Sequence, residues 1–392
     1  MELTIEENPI PDFEEALRVV KIDDTHYVGA HPLRLPVSVG RGVYGGHMIA
    51  QSLLVGIEST RSDDTNEVMI PDSYHSFFIN AGNWKTPMEY KVTKLYDDEF
   101  ISKRYILAYQ RGKNRISCLV TLRKQGTKTL HSQSPSQQLQ QQLTLLDESI
   151  PPPPLQSKYP NPDQLHQVQH TDFVRNAFGD EFLNHKICPE ENSLPFSNRW
   201  VTVFTGLKNI PEPGTGYEKI VDSYPDALGE VHDVEKLVLR PKDSQSVKNP
   251  IYNYVGLADI SDSAFITTIA RVLHLPWSPA LERGETYDAQ TDATYIARAT
   301  LNGLHIFHYN AMSLDHHIYF HNDEYEPRDG SAFDICKDWL AFTYQMKRLS
   351  NNRLVARGFI YNENQRCIAT VVQEGLTILF KGVGSTANKA HL

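Results

Sequence analysis

The chain has 392 residues, a formal net charge of −10, 40% hydrophobic residues and 22% charged ones. That length can hold two domains with separate cores, in the composition of an ordinary soluble protein. The acidic balance argues against a nucleic-acid partner, which needs a concentrated basic surface, yet leaves room for a local basic pocket for one phosphorylated small molecule.

Cys118, Cys188, Cys336 and Cys367 are too scattered for a disulfide framework and form no Cys-x-x-Cys pair, so a reduced intracellular compartment is expected. The start, Met1 to Glu7, is acidic and lacks the basic residues and apolar run of a secretory signal. No apolar stretch approaches the ~20 residues of a membrane span. Ala390-His391-Leu392 at the other end is a small–basic–leucine tripeptide of the kind read by the peroxisomal import receptor. A peroxisomal location is therefore expected, with the cytoplasm as the alternative.

Phe13 to Val20 reads as a short amphipathic helix and Asp23 to Pro32 as an extended segment. Gly40-Arg-Gly-Val-Tyr-Gly-Gly-His47 then opens directly into Met48 to Val55, which is apolar nearly all round and so predicts a buried helix. Glycines Gly45 and Gly46 at its start allow close backbone approach. Free N–H groups there could bind an anion or oxyanion; close packing of a core helix explains the same glycines. The dinucleotide fingerprint Gly-x-Gly-x-x-Gly is absent.

Strands are expected at Tyr74–Ile79, Met88–Tyr96, Ser102–Tyr109 and Ile116–Leu122, the last two joined by a turn at Gln110 to Asn114. From Gln125 to Pro195 the periodicity dissolves into glutamine-rich and proline-rich sequence, read as a linker with a short helix near Phe173 to Phe182.

The first half then repeats. Trp200 to Phe204 is a strand, and Ser261 to Leu273 predicts a second buried helix with Ser261 or Asp262 as N-cap. Asn310 to His321 corresponds to Tyr74–Ile79, pairing His316 with His75, and Arg353 to Tyr361 with Cys367 to Val372 mirrors the earlier hairpin. The expected organisation is an N-terminal domain over 1–125, a linker over 126–195, a C-terminal domain over 196–380 and a tail over 381–392. Each domain is a curved antiparallel sheet wrapped around a helix, an α+β class.

Within Asn310 to His321, strand alternation puts Asp315, His317, Tyr319 and His321 on one face and Leu314, Ile318 and Phe320 on the other. An ionisable Asp in such an aromatic strand is costly unless hydrogen-bonded or functional. Superposing the repeats sets Asp315 against Tyr74, and Gln373 against Lys124, so both polar residues belong to the second copy alone. That asymmetry puts the reactive site in the second half.

Gly42-Val-Tyr-Gly-Gly, His75-Ser-Phe-Phe-Ile-Asn-Ala-Gly82, Ser313-Leu-Asp-His316, Trp339-Leu340 and Val372-Gln-Glu-Gly375 together resemble the type II acyl-CoA thioesterases, which are double hot-dog proteins. The resemblance spans both halves. It implies hydrolysis of acyl-CoA to free acid and CoA, with Asp315, Gln373 and a Ser or Thr holding the attacking water. Acyl-CoA would be substrate, and no separate cofactor is implied. Counting back from Arg353, the hydroxyl should fall near Met346 or Lys347, which have none; Ser350 is the nearest on the loop side and Thr343 on the strand side. The segment Asn322 to Ser331 is an insertion relative to the family.

Asp315 would act as general base and the Gln373 amide would orient the water. An oxyanion would be met by the start of the Gly45–Gly46 helix or of the 261–273 helix. A serine-hydrolase elbow is absent, and Asp315, His317 and His321 are spaced too widely along one strand to converge on a metal. The rival reading is an acyl-CoA-binding protein that no longer hydrolyses, suggested by the missing hydroxyl. Exposed sheet edges make self-association an expectation.

Overall fold

The computed structural model describes residues 12–34, 42–62, 65, 67–125, 183–187, 200–207, 217–225, 231–239, 247–263, 265, 269, 309–321, 333–362 and 364–379. The first half carries α1 (Phe13–Leu17), β1 (Val19–Lys21), β2 (His26–Gly29), α2 (Gly45–Glu58), β3 (Ile70–Phe78), β4 (Glu89–Asp97), β5 (Ile101–Gln110) and β6 (Lys113–Arg123). Between the halves in sequence lies β7 (Leu183–Ile187). The second half carries β8 (Val201–Leu207), β9 (Tyr217–Pro225), β10 (Val231–Leu239) and α3 (Ile251–Ser261). It continues through β11 (Tyr309–Ser313), β12 (Asp315–Phe320), β13 (Leu340–Ser350), β14 (Arg353–Tyr361) and β15 (Cys367–Leu379).

Both halves contribute to one 13-stranded antiparallel sheet, ordered β1-β2-β4-β5-β6-β3-β12-β15-β14-β13-β8-β7, with β11 also paired to β15. The halves join where β3 meets β12, His75 opposite His317 and Ile318 opposite Tyr74. Each half closes a hairpin through a two-residue turn of positive φ, Arg111-Gly112 in the first and Asn351-Asn352 in the second. Such turns match the right-handed twist of the flanking strands.

The sheet wraps α2 and α3, which pack on each other. Helix α2 is buried on all sides, as its apolar sequence predicts, and its Gln51 and Ser52 find hydrogen-bond partners inside. Gln51 accepts from the Tyr90 hydroxyl at 2.6 Å and donates to the Leu17 carbonyl at 3.2 Å, and Ser52 meets the Tyr74 hydroxyl at 2.7 Å. Tyr44, just before α2, donates to the Asp259 carbonyl in α3 at 3.0 Å, tying the halves together through their helices.

Four expectations shift. A buried helix runs over Ile251–Ser261, and Ser261 and Asp262 stand at its C-terminal end, not at an N-cap; of the expected helix over 261–273 only 261–263, 265 and 269 are described, and residue 269 is helical. A Ser-Asp pair beside an apolar run reads as a cap from either side, and the polar Lys248-Asn249-Pro250 that starts the helix carries the opposite signal. Leu183–Ile187, expected within the linker, is a strand paired to β8. The first helix stops at Leu17, and Val19–Lys21 is a strand. The strand at 310–321 is two strands broken at Leu314. The linker from 126 to 182 with its short helix, the 322–331 insertion and the C-terminal tripeptide lie outside the described residues.

Candidate active site

The break at Leu314 decides which side chains meet. Ser313 pairs with Gly375 of β15, whereas His317 pairs with Val372, so four steps on one strand span three on the other. That extra residue is a β-bulge, and it reverses which face the following side chains take. Ser313 turns inward before the bulge, and His316, Ile318 and Phe320 are buried after it. Asp315, His317 and Tyr319 take the outer face, as their alternation predicts. Gln373 points inward from β15 and is 2% exposed. Asp315 and Gln373 therefore lie on opposite faces, and the structure does not bring them together.

Gln373 meets a different carboxylate. Its Nε2 donates to Asp262 Oδ1 at 2.6 Å and to Ser313 Oγ at 2.6 Å, and Ser313 Oγ donates to the same Asp262 oxygen at 3.2 Å. Asp262 sits just past the end of α3 and faces the start of α2, whose Gly46 N–H donates to it. A Cβ at position 45 would collide with Asp262 Oδ2, so only glycine lets the helix start come this close. Burial pushes the Asp262 carboxyl up to about 7, against the opposing hydrogen bonds of Gln373, Ser313 and Gly46. The close approach expected of Gly45 and Gly46 is made to the Asp262 carboxylate. By contrast, α3 presents its C-terminal end to this place.

Beneath the cluster lies His316, fully buried, with Nε2 at 2.8 Å from Ser261 Oγ and Nδ1 at 3.9 Å from Asp262 Oδ1. Burial and the neighbouring His317 push its imidazole down to about 3, so it is neutral at physiological pH. Its facing corrects the matching of the repeats: His75 points outward and His316 inward, so that superposition is out of register by one residue.

The remaining expected residues lie elsewhere. Asp315 accepts the Glu374 N–H at 2.7 Å and stands 3.6 Å from His317 Nε2. Burial would raise its carboxyl, but the His317 and Glu374 hydrogen bonds outweigh it and hold it below the ordinary value. Ser350 is exposed at the β13–β14 turn, where it accepts from the Arg348 guanidinium at 2.8 Å. Thr343 is buried and accepts from Thr202 at 3.0 Å. Neither hydroxyl contacts Gln373; Ser313 does. Asp262 and Ser313 are the residues that sequence reasoning missed, although Ser313 opens the quoted Ser-Leu-Asp-His motif. Among the described residues, no group of three or more His, Cys, Asp or Glu is arranged to hold a metal ion.

Residues 216–377 match the family model of the acyl-CoA thioesterase C-terminal domain. The chain is 21% identical over 382 residues to the peroxisomal acyl-coenzyme A thioester hydrolase 1 of Saccharomyces cerevisiae, covering 94% of each. It is 27% identical over 124 residues to human acyl-coenzyme A thioesterase 8, covering 30% of this chain and 37% of that one. Its fold is that of the tesB protein of Mycobacterium avium subs paratuberculosis, with TM-score 0.53 and 15% identity over 92% of this chain and 96% of the other. The acyl-CoA thioesterase II TesB2 of Mycobacterium marinum follows at TM-score 0.51 and 16% identity, over 94% and 98%. The chain is thus similar over nearly its full length to an acyl-CoA thioester hydrolase, matches the acyl-CoA thioesterase C-terminal domain over residues 216–377, and shares the fold of thioesterase II proteins.

Proposed function

We propose that the protein hydrolyses acyl-CoA thioesters to free carboxylic acid and CoA, using water activated by Asp262 and held by Ser313 and Gln373. The observation that carries this reading is the buried cluster in which all three side chains meet at the start of α2. A thioester carbonyl is electrophilic enough for a positioned water, so no covalent nucleophile is needed. The water oxygen bonds to the carbonyl carbon, its proton passes to the Asp262 carboxylate, and the carbon–sulfur bond then breaks. The departing thiolate takes a proton from Asp262 or solvent.

Asp262 takes the role expected of Asp315. A general base works best when its pKa lies near the working pH, and about 7 suits that role where a depressed carboxyl on the outer face does not. The Ser313 hydroxyl and the Gln373 amide can each donate to or accept from one water, which fixes its approach. Negative charge developing on the carbonyl oxygen would meet the N-terminal end of α2, where backbone N–H groups and the helix dipole favour an anion. The C-terminal end of α3, with the negative end of its dipole, would oppose it.

Ser313 also favours hydrolysis over mere acyl-CoA binding, because its hydroxyl sits at hydrogen-bond distance from Gln373. Measuring free CoA release from acyl-CoAs of several chain lengths tests the proposal; binding without release would contradict it. The name of the yeast relative and the tripeptide Ala390-His391-Leu392 support a peroxisomal location. Deleting the tripeptide should move a tagged protein into the cytosol with its turnover intact; unchanged targeting would refute this address.

A further inference from the structure

The orientation of the Gln373 amide matters to this reading, and something must set it. Its nitrogen faces Asp262 and Ser313, so its oxygen points the other way, where it is buried. Two buried side-chain atoms of the cluster, Gln373 Oε1 and His316 Nδ1, have no hydrogen-bond partner among the described residues. The two side chains are neighbours, and the Gln373 amide favours a proton on the imidazole. An unsatisfied buried polar atom costs ~1–3 kcal/mol, so a pair of them side by side strongly selects any proton placement that joins them.

That placement depends on Ser261. Its Oγ lies 2.7 Å from the Ala258 carbonyl and 2.8 Å from His316 Nε2, with one hydroxyl proton to share between them. If the hydroxyl serves Ala258, Nε2 must carry the imidazole proton, and Nδ1 then faces Gln373 Oε1 acceptor to acceptor. If the hydroxyl serves Nε2, the imidazole proton lies on Nδ1 and points at Gln373. The second arrangement leaves only a helix carbonyl short of one contact, and carbonyls tolerate that more readily than opposed acceptors.

We infer that His316 is a positioning residue for the hydrolysis, donating from Nδ1–H to Gln373 Oε1 and so turning the amide nitrogen toward Asp262 and Ser313. The inference rests on the proposed role of Gln373. It places a directed chain from Ser261 through His316 and Gln373 to the base. With the imidazole proton on Nε2 instead, opposed acceptors at Gln373 Oε1 and His316 Nδ1 would work against the bonds from the amide nitrogen to Asp262 and Ser313, and a flipped amide would set its oxygen against the Asp262 carboxylate.

Side-chain replacements separate the two nitrogens. The amide nitrogen of Asn, like imidazole Nδ1, is one bond beyond Cγ, whereas that of Gln reaches the place of Nε2. His316→Leu should lower kcat by about tenfold or more with KM within about twofold, because the orientation acts on the transition state. His316→Asn should recover most of that loss, and His316→Gln little of it. Recovery by Gln, or an Asn variant no better than Leu, would overturn the inference. Where a variant does not fold, the ring 15N shifts of His316 in the wild-type protein decide directly: protonated Nδ1 supports the inference and protonated Nε2 refutes it. Gln373→Ala separates this from the reading beneath it. Undiminished turnover in that variant would sink the role of Gln373 itself, whereas slow turnover with no Asn rescue at 316 would sink only the positioning by His316.

Discussion

On the inner side of β12 and β15, a carboxylate at the end of α3 is enclosed with Ser313, Gln373 and the start of α2. On the outer side of the same strands, a carboxylate on β12 shares half-exposed surface with His317 and His75, whose Nδ1 atoms approach to 3.2 Å. The two aspartates differ in what surrounds them. Burial dominates at Asp262 and lifts its carboxyl; at Asp315 the hydrogen bonds of His317 and Glu374 outweigh burial and depress it. The same side chain thus becomes a carboxyl that titrates near neutrality on one face and a carboxyl held below its ordinary value on the other.

Substituting each carboxylate by its amide breaks that comparison most sharply. Asp262→Asn should lower kcat by ~10²-fold or more, since it keeps the shape and removes the base. Normal turnover in that variant would return the role to the outer face. Next in size, Gln373→Ala and Ser313→Ala should each cost ~10-fold or more, acting on kcat rather than KM. If both hold one water, the double variant should lose less than the product of the single losses; fully multiplicative losses would mean separate roles. Asp315→Asn should change kcat by less than ~3-fold, its cost falling on the local strand pairing through the Glu374 N–H.

Smallest is an effect on stability. The Asp262 carboxyl is raised from 3.8 to about 7 on folding, so it favours the folded state fully below about 4 and loses that contribution as pH rises through about 7. Asp262→Asn carries no such group, so its Tm relative to wild type should rise between pH 5 and pH 8, by roughly 1–5 °C. A constant difference across that window would mean that Asp262 is ionised at little cost in the fold.

Sheet and helix α2 were legible in the sequence because alternation and an all-round apolar run carry their own periods, and Gly45 and Gly46 mark the helix start. Gln373 was legible too, since it breaks the apolar pattern of β15 and has no counterpart in the first repeat. The partner of Gln373 was not legible, for two physical reasons. A bulge at Leu314 leaves no strong composition signal, yet one extra residue moves Ser313 inside and sends Asp315 outside. Asp262 follows an apolar run and precedes another, so its sequence surroundings suit a helix start as well as a helix end. Only the meeting of α3 with the start of α2, across 216 positions of sequence from Gly46 to Asp262, reveals what it faces.

The pH dependence of kcat/KM for acyl-CoA hydrolysis, measured for wild type and Asp315→Asn together, tests the choice of base most directly. With Asp262 as the base, both proteins should lose about tenfold in kcat/KM for each pH unit below an apparent pKa of about 7, because the free enzyme must hold that carboxyl ionised. A profile flat down to about pH 4 in the wild type, or an acid limb that disappears in Asp315→Asn, would contradict the account and put the base on the outer face.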